Sequence, residues 1–129
     1  MNICIFIRRK RPAAVLSRFR QLRIGDACMS AITFGELRFG ACKSDRRNQA
    51  LAELDEFASL VPILPLPLEA ANAYGSIRAS LSRSGQMIGS NDLWIAAHAT
   101  ATDMTLVTNN MREFQRVEGL RVVDWTIDN

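Results

Sequence analysis

One histidine, His98, is all that the 129-residue sequence contains, so no mechanism that passes a proton between two imidazoles can operate within one chain. Cysteine is scarce as well. Cys4, Cys28 and Cys42 make an odd number with no CxxC spacing, which argues against a disulfide framework or a thiolate zinc site and for buried, reduced thiols. No GxSxG elbow, P-loop or GxGxxG occurs, which removes the familiar serine-hydrolase, phosphate-loop and dinucleotide signatures. No stretch reaches the 18 or so uncharged apolar residues of a membrane-spanning helix. The opening MNICIFIRRKRP places its basic residues after the apolar stretch, the reverse of a secretory leader, so a cytoplasmic location is expected. Repeats, low-complexity tracts and long linkers are also missing, and a single domain over residues 1–129 is expected.

What is present is ordinary for a globular chain: 48% hydrophobic and 22% charged residues. The net charge of +3 is unevenly spread, with Arg8, Arg9, Lys10 and Arg11 in one run and Arg18, Arg20 and Arg23 after it. Such a cluster suits a polyanionic partner, because neutralised phosphates release counterions. A solvated helix face explains it equally well.

Helical spacing is found over Thr33–Cys42, Asn48–Leu60, Glu69–Arg83 with a stop near Gly85, and Ser90–Ala101. The last of these, SNDLWIAAHATA, is apolar nearly all round, as expected of a helix packed between a sheet and other helices. Short apolar runs at Ala27–Ile32, Val61–Leu64, Thr105–Val107 and Leu120–Val123 read as strands. Strands alternating with helices predict an α/β fold with a mostly parallel sheet. Asn2–Ile7 has strand propensity, but its continuation into RRKRP suits the first turns of a helix equally.

Candidate chemistry rests on carboxylates. Glu36 in SAITFGEL, Asp92 in GSNDLWIAAHA, and Glu113 in VTNNMREF with Asn110 just before it each follow a predicted strand and lie in the first turn of a helix. In an open parallel sheet ligands gather beyond the carboxyl ends of the strands, where these residues would converge. Hard oxygen donors favour Mg²⁺ or Mn²⁺, ions that bind phosphate oxygens and activate water. Spacing alone is also explained by capping: Thr33-x-x-Glu36 and Asn110-x-x-Glu113 both fit a capping box, and Asp92 is an ordinary first-turn acid. His98 lies six residues beyond Asp92 on another helix face and reads as a packed histidine.

Four segments, NICIFI, SAITFGELRFGACKS, YGSIRASLSRSGQMIGSNDLWIAAHA and TLVTNNMREFQRVEGLRVVDW, taken in this order, resemble the VapC toxins of the PIN-domain family. The resemblance implies a three-layer α/β/α sandwich around a parallel sheet, with acidic residues holding Mg²⁺, or Mn²⁺, at the strand ends. By position, Glu36 resembles the family's second acidic residue and Asp92 its third, both as metal ligands, while Asn110 and Glu113 occupy the segment of the fourth. The implied activity is cytoplasmic cleavage of RNA, commonly tRNA, restrained by a cognate VapB antitoxin, with a homodimer usual.

The sequence departs from the family pattern at its start. The resemblance implies an Asp-Thr-Asn motif, of which Asn2 matches only the asparagine, Met1 stands at the threonine and the aspartate has no counterpart. By that alignment Ile3–Lys10 belongs to the first helix, and the first, central strand is expected to be largely missing. The expected function is therefore a Mg²⁺-dependent endoribonuclease, with an inactive antitoxin- or RNA-binding module as the alternative. A phosphoacceptor receiver domain shares the α/β pattern but needs a lysine after a late strand, and Thr105–Arg112 offers none.

Overall fold

In the computed structural model, residues 4–7 and 27–124 are described. Five strands form one sheet: β1 (Ile5–Ile7), β2 (Ala27–Ser30), β3 (Ile63–Leu64), β4 (Thr105–Val107) and β5 (Val122–Val123). Numbered among the described residues, the helices are α1 (Ala31–Cys42), α2 (Arg47–Leu60), α3 (Glu69–Ser84), α4 (Ser90–Ala101) and the short α5 (Met111–Phe114). The strand order is β3-β2-β1-β4-β5. Pairing is parallel for β2 with β3 and for β4 with β5, whereas β1 runs antiparallel to both its neighbours. The four outer strands therefore share one direction, and their carboxyl ends lie at one pole.

Two expectations are corrected by β1. Ile5–Ile7 is a strand rather than part of a first helix, and the central position is filled rather than empty. The sheet is accordingly mixed, not all parallel. The physical reason is legible in the residues: Ile-Phe-Ile has strong strand propensity, and a strand between β2 and β4 satisfies backbone groups on two neighbours at once. Phe6 pairs with Cys28 on one side and Leu106 on the other. The basic residues Arg8–Arg11, Arg18, Arg20 and Arg23 lie outside the described residues.

Alternation along β1 divides the core in two. Phe6 joins Cys28, Leu106, Phe114 and, from α4, Leu93, Ile95, Ala96 and Ala99. Ile5 and Ile7 face the other way, with Val107 and the partly buried Ala27, Val61 and Val123. A strand buried on both faces has to be apolar at every position, which is why IFI does not alternate. Phe6 is completely buried, so Phe6→Ala is expected to lower unfolding free energy by about 3–5 kcal/mol in urea titrations. A near-silent substitution would show that this segment is not in the sheet.

Helix limits follow local chemistry. Ser30 caps α1 by accepting a hydrogen bond from Ile32 N–H at 3.1 Å. α3 ends at Gly85, whose φ of 68° is the left-handed conformation that glycine adopts without strain. α3 and α4 pack closely, with Tyr74 stacked on Trp94 at a centroid distance of 3.9 Å. α4 is buried at Leu93 and throughout Ile95–Ala99, as its sequence predicts. Among the described residues no helix is long and apolar enough to cross a membrane.

Candidate active site

At the pole where β2 and β4 end, three segments meet. α1 leaves Ser30 carrying Glu36; α4 presents Asn91 and Asp92 in its first turn; and the segment after β4 brings Thr108, Asn110 and Glu113. Asp92, Asn110 and Glu113 are in contact. Asn110 Nδ2 donates to Glu113 Oε2 at 3.2 Å and stands 3.5 Å from Asp92 Oδ2. Glu113 Oε1 accepts Gly89 N–H at 2.8 Å, which ties α5 to the start of α4. Asn110 is itself fixed by its backbone N–H, which donates to the buried Thr108 Oγ1 at 3.1 Å. Glu36 stands nearby and its Oε2 accepts a 3.1 Å hydrogen bond from Asn91 Nδ2.

Neither capping box forms. The cap of α1 is Ser30, three residues before the expected Thr33, and Thr33 Oγ1 is buried without a partner among the described residues. Glu36 therefore lies in the second turn, beyond reach of the cap, with its carboxylate turned to α4. Asn110 is the N-cap of α5 but makes no side-chain capping bond, and its Nδ2 faces the two carboxylates. The capping explanation for Glu36 and Glu113 thus fails on geometry.

Sequence reasoning missed Asn91, Gly89 and Thr108, which hold the acidic groups in place. The dipeptide Asn91-Asp92 carried the available signal, since adjacent first-turn residues face two different partners. Cys4 was also missed. Its buried Sγ lies 3.7 Å from Thr108 Oγ1, and burial first, with the fields of Asp92 and Glu36 adding, pushes its thiol up to about 11. A neutral thiol therefore stands beside the acidic pole.

The electrostatics are those of a crowded acid pair. Burial, then the charge and hydrogen bond of Glu113, then the charge of Glu36, push Asp92 from 3.8 up to about 6. Glu113 moves below its ordinary value, chiefly because Gly89 N–H donates to it, with Asn110, Asp92 and Arg116 helping. At about pH 5 Asp92 therefore keeps its proton beside an ionised Glu113, and by neutral pH both carry charge.

These residues fit a hard divalent cation by donor chemistry: two half-buried carboxylates in contact, a third across from them, and a mutual repulsion at neutral pH that a cation would relieve. They are not arranged as a closed cage. Among the described residues no three His, Cys, Asp or Glu side chains are close enough to hold one ion together. Asp92 and Glu113 are the pair that would hold it, with Glu36 drawn aside by Asn91.

Asp92 binds its proton more tightly in the folded than in the unfolded chain, so stability in cation-free buffer is expected to fall as pH rises from about 4 to about 6. Glu113 acts oppositely, and its contribution is lost only at lower pH, below its ordinary carboxylate range. Since a cation has to displace the Asp92 proton, Mn²⁺ is expected to raise the melting temperature at pH 7 and much less at pH 5. Equal Mn²⁺ shifts at both pH values would show that Asp92 takes no part.

The sequence matches the family model of the PIN domain over residues 2–120. The chain belongs to the PIN-domain family. Within it the chain is of the VapC type: it is 44% identical over 124 residues to Ribonuclease VapC2 of Haemophilus influenzae, covering 96% of this chain and 93% of that relative. It is likewise 44% identical over 125 residues to the tRNA(fMet)-specific endonuclease VapC of Shigella flexneri, covering 97% and 94%. Among solved structures, VapBC-1 from nontypeable Haemophilus influenzae aligns with a TM-score of 0.79 at 35% identity, over 92% of this chain and 89% of that one. VapBC2 from Rickettsia felis, bound to a DNA fragment from its promoter, aligns with a TM-score of 0.74 at 40% identity, over 76% and 74%.

Proposed function

We propose that this chain is a Mg²⁺-dependent endoribonuclease toxin of a VapBC system, able to use Mn²⁺, that cleaves RNA in the cytoplasm. By analogy with the tRNA(fMet)-specific relative, tRNA is the expected substrate. A VapB-type antitoxin is the expected restraint, and a homodimer the expected assembly. The observation that carries this reading is the contact of Asp92, Asn110 and Glu113 at the carboxyl pole of a PIN fold, with Glu36 across from them.

In this reading Asp92 and Glu113 would hold the cation, and Glu36, bonded to Asn91 across from them, would add its negative charge to the site. The bound ion supplies charge neutralisation at a phosphate and activation of a water. Asn110 keeps Asp92 and Glu113 together while both are charged, and Gly89 N–H keeps Glu113 ionised. Beside Glu36 a cavity of about 600 Å³, lined by Ala31, Ile32, Gly35, Glu36, Phe39 and Asn91, leaves room for a strand of RNA next to the acids.

A second reading, a module that binds antitoxin or RNA without cutting, is favoured by one observation: no three ligating side chains are close enough to share an ion. The two are separated by incubating labelled tRNA and single-stranded RNA with Mg²⁺, Mn²⁺ or EDTA. The same assay is run on a version in which an apolar segment ending in Asp-Thr precedes Asn2. Cleavage by the 129-residue chain that EDTA stops supports the enzyme. RNA bound but left intact by both proteins supports the module, and cleavage by the longer version alone assigns that reading to the shorter chain.

A further inference from the structure

We infer that His98 is a positioning residue, which through a buried hydrogen bond to Ser30 sets how the helix bearing Glu36 faces the helix bearing Asp92; this rests on the site reading above.

Both side chains are fully buried, and Ser30 Oγ lies 2.8 Å from His98 Nδ1. The same Ser30 oxygen accepts Ile32 N–H at 3.1 Å. In one ring tautomer the hydroxyl donates to Nδ1 and in the other Nδ1–H donates to the hydroxyl, and in both an oxygen lone pair remains to cap α1. Burial keeps the imidazole neutral, since it lowers the histidine's affinity for a second proton.

That arrangement leaves a conspicuous loose end. Among the described residues Nε2 is buried with no hydrogen-bond partner, and the ring meets Phe6 edge-on at a centroid distance of 5.1 Å. An unpaired buried ring nitrogen is unfavourable in either tautomer, whereas an apolar side chain of similar volume leaves nothing unsatisfied at that position. Packing alone therefore does not account for an imidazole here. What the imidazole does provide is a hydrogen-bonding nitrogen in a fixed place on α4 for the residue that caps α1.

Its position makes that tie consequential. Ser30 precedes Glu36 by six residues and His98 follows Asn91 by seven. The outer tie, Asn91 Nδ2 to Glu36 Oε2, thus lies about two helical turns from the inner one. Two ties so spaced fix both the separation of the helices and their rotation about each other. Freeing the inner tie lets α1 turn, and Glu36 moves relative to Asp92.

The test compares His98→Leu with His98→Asn, whose side-chain amide can pair with Ser30 in either direction. Three quantities are read on the full chain: amide hydrogen exchange at residues 32–36, the Mn²⁺ concentration at half-maximal melting shift, and RNA cleavage. Exchange reports the tie whether or not the site binds metal. In His98→Leu, exchange at 32–36 is expected to rise tenfold or more, and the Mn²⁺ midpoint to weaken tenfold or more with a parallel loss of cleavage. The cation-free melting temperature should hold or rise. His98→Asn is expected to stay within about threefold of the parent in all three.

Unchanged exchange in His98→Leu overturns the tie. Raised exchange with an unchanged Mn²⁺ midpoint and unchanged cleavage overturns the positioning role. Equal losses in both variants show a requirement for the imidazole itself and overturn the proposal as well. A parent chain with neither a Mn²⁺ shift nor cleavage overturns the site reading, while exchange still reports on the tie.

Discussion

Asp92→Asn will remove metal-dependent cleavage, by at least about 100-fold, and the variant will melt no lower than the parent at pH 7. The two halves of this result have one cause. Asp92 is half-buried against Glu113 and within the field of Glu36, and its carboxyl is pushed up to about 6. At neutral pH without a cation it is ionised in a place that resists its charge, so the folded state carries a penalty that asparagine relieves. Asparagine also accepts a hydrogen bond from Asn110, preserving that contact. What it cannot provide is the negative charge that holds a divalent ion, and altering groups that merely support such ions already costs about 10–100-fold. Residues of active sites often sacrifice stability in this way. Thermal melts beside EDTA-controlled cleavage assays decide the matter. Retained cleavage would remove Asp92 from the site, and a marked drop in melting temperature would show that it serves the fold instead.

Glu36→Gln is the second large effect expected. Because α1 is capped by Ser30, Glu36 does nothing for the helix end. Its one observed hydrogen bond, from Asn91 Nδ2 at 3.1 Å, can be made as well by a glutamine oxygen. Stability should therefore change by no more than about 0.5 kcal/mol, as for most exposed positions. Cleavage should fall at least about 10-fold, and the Mn²⁺ midpoint should weaken with it, because the change removes charge from the acid cluster. Activity within a few-fold of the parent would leave Glu36 as a surface residue bonded to Asn91.

Much of this was legible in the residues, and the failures are instructive. Ser90–Ala101 reads correctly to the residue because its apolar character all round admits one explanation, a helix packed on every side. Thr105–Val107 is likewise unmistakable. The start of α1 was misplaced because Thr33 has the chemistry of a cap, while Ser30, hidden at the end of an apparent strand, is the residue that caps. That misplacement produced the false capping box around Glu36. Glu36 and Glu113 stood out because each follows a strand, whereas Asp92 follows α3 and a loop and stood out as a first-turn acid of α4. Asn91, Gly89 and Thr108 were not, since polar residues that position others have no pattern until the chain is folded. The gravest misreading concerned Ile5–Ile7. Alignment to relatives placed it in a helix, and strand propensity, the plainer physical argument, was the better guide.

The central strand has a consequence for how the molecule is made. Ile5–Ile7 pairs with β4, and Cys4 meets Thr108 across 104 residues of chain. A ribosome releases the first partner of this pairing long before the second exists. Until then Phe6 and its flanking isoleucines are an apolar segment able only to pair with β2. Contacts so remote in sequence close late and slow the search for the native state. The acidic pole cannot assemble earlier, because Asn110 and Glu113 follow β4. Newly synthesised chains should therefore pass through a stage in which Asp92 is already helical but its companions have not arrived, with exposed apolar surface that invites association. Production of the protein will be limited by the closing of its middle rather than by the formation of its helices.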